Sequence, residues 1–326
     1  MEYNKMVLFK SKKLTKLFLS IINGSINDVK EIVDTVTFKK HFINKRGNEG
    51  ATPLVIAIRE GKKDIVEYLI EMGADIERTS IRGNTPLSAA ILFKRDEILY
   101  NLIYKYKANW FRNISIKKQK YSLLEIAIMA KNYYAVNLLV ENKYIIEDKH
   151  LIFAIEFGDE DIIFLEKLIV DYNLDINYYD ENAMTPLTTA IAYDNIDTMK
   201  FLLDIGADPN FCKKDQKKGL YSVYPLGVAI QYDNFDAFKM LIDAGAYVID
   251  EVIMLLLINC EVNMLKYLYN RGHNIKVDYE KMKQKYPYYF SDYNNILEYI
   301  YSRKDKNKYE IADIYIYELK HAMRSV

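Results

Sequence analysis

Cysteine, proline, glycine and net charge are all scarce in this chain. Only two of its 326 residues are cysteines, Cys212 and Cys260, which excludes a disulfide framework and fits a reducing compartment. Lysine plus arginine equals aspartate plus glutamate at 45 each, so no global field favours nucleic acid or acidic lipid as the main partner. No apolar run approaches the roughly 18 residues that a membrane-spanning helix needs, so a soluble chain is expected. The four histidines, His41, His150, His273 and His321, are scattered. None forms a His-x-x-x-His pair and no Cys-x-x-Cys occurs, so no metal site is expected. Phosphate-binding loops of the Walker type and Gly-x-Ser-x-Gly elbows are missing too. The carboxylates Asp64, Asp197 and Asp236 fall where helices should begin, and read as caps or dipole partners and not as acid and base catalysts. No enzyme, cofactor or small-molecule substrate is expected. Tyrosine, by contrast, reaches 29 against 12 glycines and 6 prolines, which with the many lysines, asparagines and isoleucines reads as the coding bias of an AT-rich genome.

What the chain does have is a repeated module, clearest at 185–210, TPLTTAIAYDNIDTMKFLLDIGADPN. Pro186 suits the first position of a helix, where its missing N–H is not needed. Leu187, Ala190 and Ile191 share one helical face. Asp194-Asn195 breaks the run, Met199, Leu202 and Leu203 form a second face, and Gly206 ends it. One such helical hairpin cannot bury its own apolar face, so it needs copies. They occur at 51–77 and 84–109, with Thr85 following Thr52 by 33 residues, and in weaker form at 121–144, 149–177, 224–248 and 251–275. Residues 14–36 read as an N-terminal capping repeat. The lysines before Leu17–Ile22 could pass for a signal peptide, but the apolar run is short and the continuation matches the second half of the module. Ala57, Ala90, Ala127, Ala154, Ala190 and Ala229 form one small-residue column, beside Ile58, Ile91, Ile128, Ile155, Ile191 and Ile230. Together they predict a solenoid in which each unit touches only its neighbours.

Period, Thr-Pro-Leu, the alanine three residues later and Gly-Ala-Asp together resemble the ankyrin repeat. The resemblance implies an all-α solenoid of about eight helix-turn-helix units with short hairpin loops. The expected organisation is a basic lead at 1–13, the array at 14–275 and a helical cap at 276–326. Long hairpin fingers are expected at 111–121 and 211–223. Where the family usually follows Thr-Pro-Leu with histidine, this chain has Val55, Ser88, Glu125, Ile152, Thr188 and Gly227. The inter-repeat bridge that the histidine makes should be missing, with some loss of stability.

The resemblance also implies a protein partner, gripped by the hairpin tips and the exposed side of the first helices. At the end of the first helix the column Asn23, Glu60, Phe93, Ala130, Phe157, Tyr193, Tyr232 and Asn259 carries four aromatics. They either meet a partner or pack repeat on repeat, and both readings stand at this point. The fingers and tips offer a second surface through Arg78, Arg82, Trp110, Phe111, Arg112, Tyr178, Tyr179 and Phe211, because loops on a rigid scaffold present binding groups. Lys117-Lys118 and Lys213 to Lys218 could meet phosphate, but zero net charge favours an ordinary solvated surface or protein contact. The expected molecule is a cytoplasmic, monomeric scaffold. The alternative is a secreted effector that redirects a host protein, with 276–326 as its output segment.

Overall fold

The structure, a computed structural model, describes residues 12–47, 50–81, 83–111, 113–116, 119–157, 161–212, 224–258, 261–273 and 284. The C-terminal cap expected at 276–326 and the finger at 213–223 lie outside the described residues. By contacts the chain divides into two compact units, 1–146 and 147–326.

The first unit holds four helical hairpins: α1 (Lys12–Asn23) with α2 (Ile26–Asp34), α4 (Pro53–Arg59) with α5 (Lys63–Glu71), α6 (Pro86–Leu92) with α7 (Asp96–Tyr104), and α8 (Leu123–Met129) with α9 (Tyr133–Glu141). A short α3 (Lys39–Ile43) follows the first hairpin, and an antiparallel ribbon, β1 (Ile114–Ile116) and β2 (Gln119–Tyr121), precedes the last, pairing Ile114 with Tyr121. This ribbon is the finger expected at 111–121. The second unit holds four more hairpins: α10 (Lys149–Phe157) with α11 (Ile162–Tyr172), α12 (Pro186–Ala192) with α13 (Ile196–Asp204), α14 (Pro225–Gln231) with α15 (Phe235–Asp243), and α16 (Asp250–Ile258) with α17 (Val262–Asn270).

Within each unit the first helices stack in series. α1 packs on α4, α4 on α6 and α6 on α8; in the other unit α10 packs on α12, α12 on α14 and α14 on α16. The expected columns lie at these contacts. The six alanines are between 0% and 2% exposed, and so are the six isoleucines beside them. Alanine lets the helix backbones approach, and each buried isoleucine contributes about 1.5–3 kcal/mol by leaving water.

Sequence explains why the first helices start where they do. Thr52, Thr85 and Thr185 are N-caps whose hydroxyls accept the N–H three residues on, with proline at the next position. Ser122 does the same without proline. Three of the residues standing in place of the family's histidine complete the cap from the other side. The side chains of Ser88, Glu125 and Thr188 accept the N-cap backbone N–H at 2.9, 2.6 and 2.7 Å. The missing histidine is thus replaced by a local capping box at half of the positions.

Bridges between repeats also survive, carried by other groups. At the hairpin tips, Asn44 accepts the Asp75 N–H at 2.8 Å and donates to the Gly73 carbonyl at 2.9 Å. Asn177 accepts the Asp208 N–H, and Asn210 accepts the Tyr247 N–H at 2.7 Å. At the opposite end of the helices, Arg95 donates twice to the Arg59 carbonyl, at 2.7 and 3.1 Å. Asn132 donates to the Ile91 carbonyl at 3.0 Å, and Asn234 donates to Asp194 at 2.8 Å. These neighbouring repeats within each unit are therefore tied at one edge or the other, and the repeats of α12 and α14 at both. One contact is especially close: Gly83, at φ +89°, lies so near β1 that a Cβ there would sit 2.0 Å from the Ser115 carbonyl oxygen.

Candidate functional site

The expected site residues fall on two edges. A first helix such as α12 begins after the tip loop that carries Tyr178 and Tyr179 and ends at Tyr193. Its seven residues rise about 10 Å, so tips and helix ends are separate surfaces.

At the helix-end edge, a first helix stops and the chain turns through one left-handed residue into the second helix. Gly61, Lys94, Lys131, Asp194 and Asp233 take that place, with φ between 49° and 69°. The next side chain caps the second helix: Asn132, Asn195 and Asn234 accept the N–H three residues on. Phe93, Tyr193 and Tyr232 directly precede this turn. Phe93, Phe157, Tyr193 and Tyr232 are 41%, 39%, 53% and 54% exposed. Phe93 lies in the first unit; Phe157, Tyr193 and Tyr232 occupy consecutive repeats of the second. Phe157 packs at a tilt on Phe153, 4.6 Å between centroids. The Tyr193 hydroxyl donates to Glu156 at 2.8 Å, a bond from one repeat to the one before. Partial desolvation of that hydroxyl, then its bond to Glu156 and that carboxylate's charge, push the Tyr193 pKa up to about 12. The row thus makes some contact between repeats and still leaves much of each ring in water.

Beside Tyr232 lies a shallow open pocket of about 390 Å³, lined by Ile191, Ala192, Asp194 and the run Tyr232–Asp236. Glu261, on the next repeat, has its pKa raised by burial and by the nearby charge of Asp233.

The tip edge is aromatic too. In the first unit Trp110 is half-buried and stacks on Phe111 at 4.3 Å, while Phe111 stays 67% exposed. Tyr144 packs on both rings and donates its hydroxyl to the Trp110 carbonyl. In the second unit Tyr178 stacks on Tyr179 and Tyr179 packs on Phe211 at 6.1 Å, with Tyr178 and Phe211 half-buried. Arg78 is exposed in the tip loop after α5. Arg82, Arg112, Lys117, Lys118, Lys213 and Lys214 lie outside the described residues.

Among the exposed apolar tip residues that escape a reading based on aromatic columns and finger composition are Ile145 at 74% and Tyr247 at 71%. Both stand at the Gly-Ala-Asp aspartate position, where Asp75, Asn109 and Asp208 occur. An apolar residue at that normally polar place was the available signal. No group of three or more histidine, cysteine or carboxylate side chains able to hold a metal occurs among the described residues, and no described helix is long and apolar enough to cross a membrane.

Comparison with known proteins places this architecture. A family model described as "Ankyrin repeats (3 copies)" matches residues 3–80, 124–213 and 151–251. Alpha-latrocrustotoxin-Lt1a of Latrodectus tredecimguttatus is 26% identical over 192 residues, covering 52% of this chain and 11% of that protein. A putative ankyrin repeat protein of Acanthamoeba polyphaga mimivirus is 28% identical over 207 residues, 62% of this chain and 27% of its own. The chain therefore spans only a minor part of these curated relatives. Among solved structures, the ankyrin repeat domain of Bcl-3 aligns with a TM-score of 0.49 and 18% identity, over 70% of this chain and 97% of that one.

Proposed function

The chain belongs to the ankyrin-repeat family, and from that premise we propose that it is a non-catalytic scaffold that captures a partner protein through its exposed aromatic row and hairpin tips. Ankyrin repeats are in general protein-interaction modules. The observation that carries the reading here is the solvent exposure of Phe157, Tyr193 and Tyr232 at one place in three consecutive repeats of the second unit. Buried residues elsewhere in the helices, the alanine and isoleucine columns among them, already hold the stack together, so folding alone does not require large rings in water at this position. Aromatic side chains are enriched among the residues that dominate binding energy, because they bury much area with few rotatable bonds. The tip clusters around Phe111 and Tyr179 provide second contacts that set specificity.

In this reading 14–275 is the binding array, 14–36 its terminal cap and 276–326 a covering segment. The scaffold acts as a monomer in the cytoplasm, a compartment that suits its two cysteines. Affinity capture from cells of the source organism tests the proposal, with Phe93→Ala/Tyr193→Ala/Tyr232→Ala as the paired bait. The triple variant should unfold like the parent and lose the captured partner. Unchanged capture by the folded variant overturns the proposal.

A further inference from the structure

We infer that the aromatic row of the second unit takes a basic, extended segment of its partner, with arginine or lysine side chains laid over Tyr193 and Tyr232 against Asp194 and Asp233. This rests on the proposed binding role of the row and names the chemistry of what it binds. In two consecutive repeats the same pair occurs, an exposed tyrosine followed by an exposed aspartate at left-handed φ, 55° for Asp194 and 51° for Asp233. Ring face and carboxylate side by side are the two groups that hold a guanidinium or ammonium, by cation–π attraction and by a charge-assisted hydrogen bond.

The pocket of about 390 Å³ beside Tyr232 combines them, with the Phe235 ring and the carboxylates of Asp194, Asp233 and Asp236 on its walls. Asp236 already holds Lys239 at 2.6 Å, and Asp194 accepts a neutral amide, that of Asn234. Asp233 faces another acid, Glu261, whose carboxyl is held above the usual range by burial first and then by the Asp233 charge. A cation placed there would relieve this repulsion.

The first unit sharpens the case, because it carries neutral or basic residues and no acid at the same places. Where Asp194 and Asp233 stand, it has Gly61, Lys94 and Lys131, and Lys62 and Arg95 follow the first two. The acidic character is therefore specific to the second unit and is hidden in a net charge of zero. Equal positions on packed neighbouring helices lie roughly 8–10 Å apart, and an extended chain advances about 3.4 Å per residue, so basic residues three apart would meet successive tyrosine–aspartate pairs.

The test uses the full chain and a fluorescent synthetic peptide with arginine at every third position, beside its arginine-to-glutamine counterpart, in anisotropy titrations at physiological salt. The arginine peptide should bind at least about tenfold tighter than the glutamine peptide. Asp194→Asn/Asp233→Asn should lose about tenfold for the arginine peptide, since asparagine keeps the left-handed backbone and removes the charge. The control Glu71→Gln/Asp204→Asn, which neutralises acids away from the row, should bind like the parent. No binding of the arginine peptide, equal affinity for both peptides, or full binding by the double asparagine variant overturns the inference. If the two peptides bind alike and Tyr193→Ala/Tyr232→Ala loses both, the aromatic row remains a binding surface and only the basic partner falls. If the tyrosine variant keeps arginine-peptide binding, the aromatic row falls as well.

Discussion

The two units are built by the same rules and finished differently at the surface. Both bury an alanine and an isoleucine column at 0–2% exposure, and both begin first helices with threonine caps. At the turn between helices, however, the first unit shows lysine and arginine with one exposed ring, Phe93. The second shows aspartate with Phe157, Tyr193 and Tyr232. Stacking constrains the columns because first helices pack on neighbours of their own kind within each unit. The residue at left-handed φ and the ring before it are less buried than the columns, so they can diverge at little cost to packing, and recognition is free to reside there.

The strongest way to break this comparison is to charge the shared core. Ala90→Asp in the first unit and Ala190→Asp in the second each bury an unpaired carboxylate and should each cost about 3–5 kcal/mol in urea unfolding. A mild effect in either unit would mean that its alanine column does not carry the packing. Next in size is Gly83→Ala. It places a Cβ against the Ser115 carbonyl at a strained φ, with an expected loss of about 1–3 kcal/mol, checked by thermal denaturation. Parent-like melting would show that β1 does not rest on that loop.

The caps come third. Thr85→Ala and Thr185→Ala should each cost about 1–2 kcal/mol and by similar amounts, because each also strips the hydroxyl that receives the N–H of Ser88 or Thr188. Unequal losses would separate the two units at the level of local structure.

The smallest effect concerns pH. The Tyr193 hydroxyl stays protonated up to about 12 in the folded chain, against an ordinary value of 10.0. Its stabilising contribution is complete below pH 10 and disappears as pH rises through the folded value, because the unfolded chain ionises first. Glu156→Gln removes the carboxylate that helps raise this pKa, so stability should fall less steeply from pH 10 to 12 in the variant. Equal slopes in parallel chemical denaturations would show that the Glu156 bond does not govern Tyr193.

Much of the fold was legible in the sequence because its signals are periodic. The alanine and isoleucine columns, the threonine caps and the turn at Asp194-Asn195 repeat in register, and each copy confirms the others. The exposed aromatic row was legible as a column, but its exposure was not, since the same spacing fits packing between repeats. The ladder through Asn44, Asn177 and Asn210 was missed because a single tip asparagine looks like any turn residue until its neighbour 31 or more positions away is placed beside it. Tyr247 was missed for a related reason: its backbone N–H is held by Asn210 of the adjacent repeat. The split of charge between the two units disappears in a composition that balances at 45 against 45.

The central claim, that the units share a scaffold and that recognition sits on the aromatic row of the second, is tested most directly by matched baits. Tyr193→Ala/Tyr232→Ala and, at the same edge of the first unit, Lys62→Ala/Lys94→Ala would be compared with the parent for melting temperature and for partner capture by quantitative mass spectrometry. The account predicts closely similar melting for all three, with partner loss confined to the tyrosine variant. Partner retained by the tyrosine variant, or lost equally by both, would contradict it.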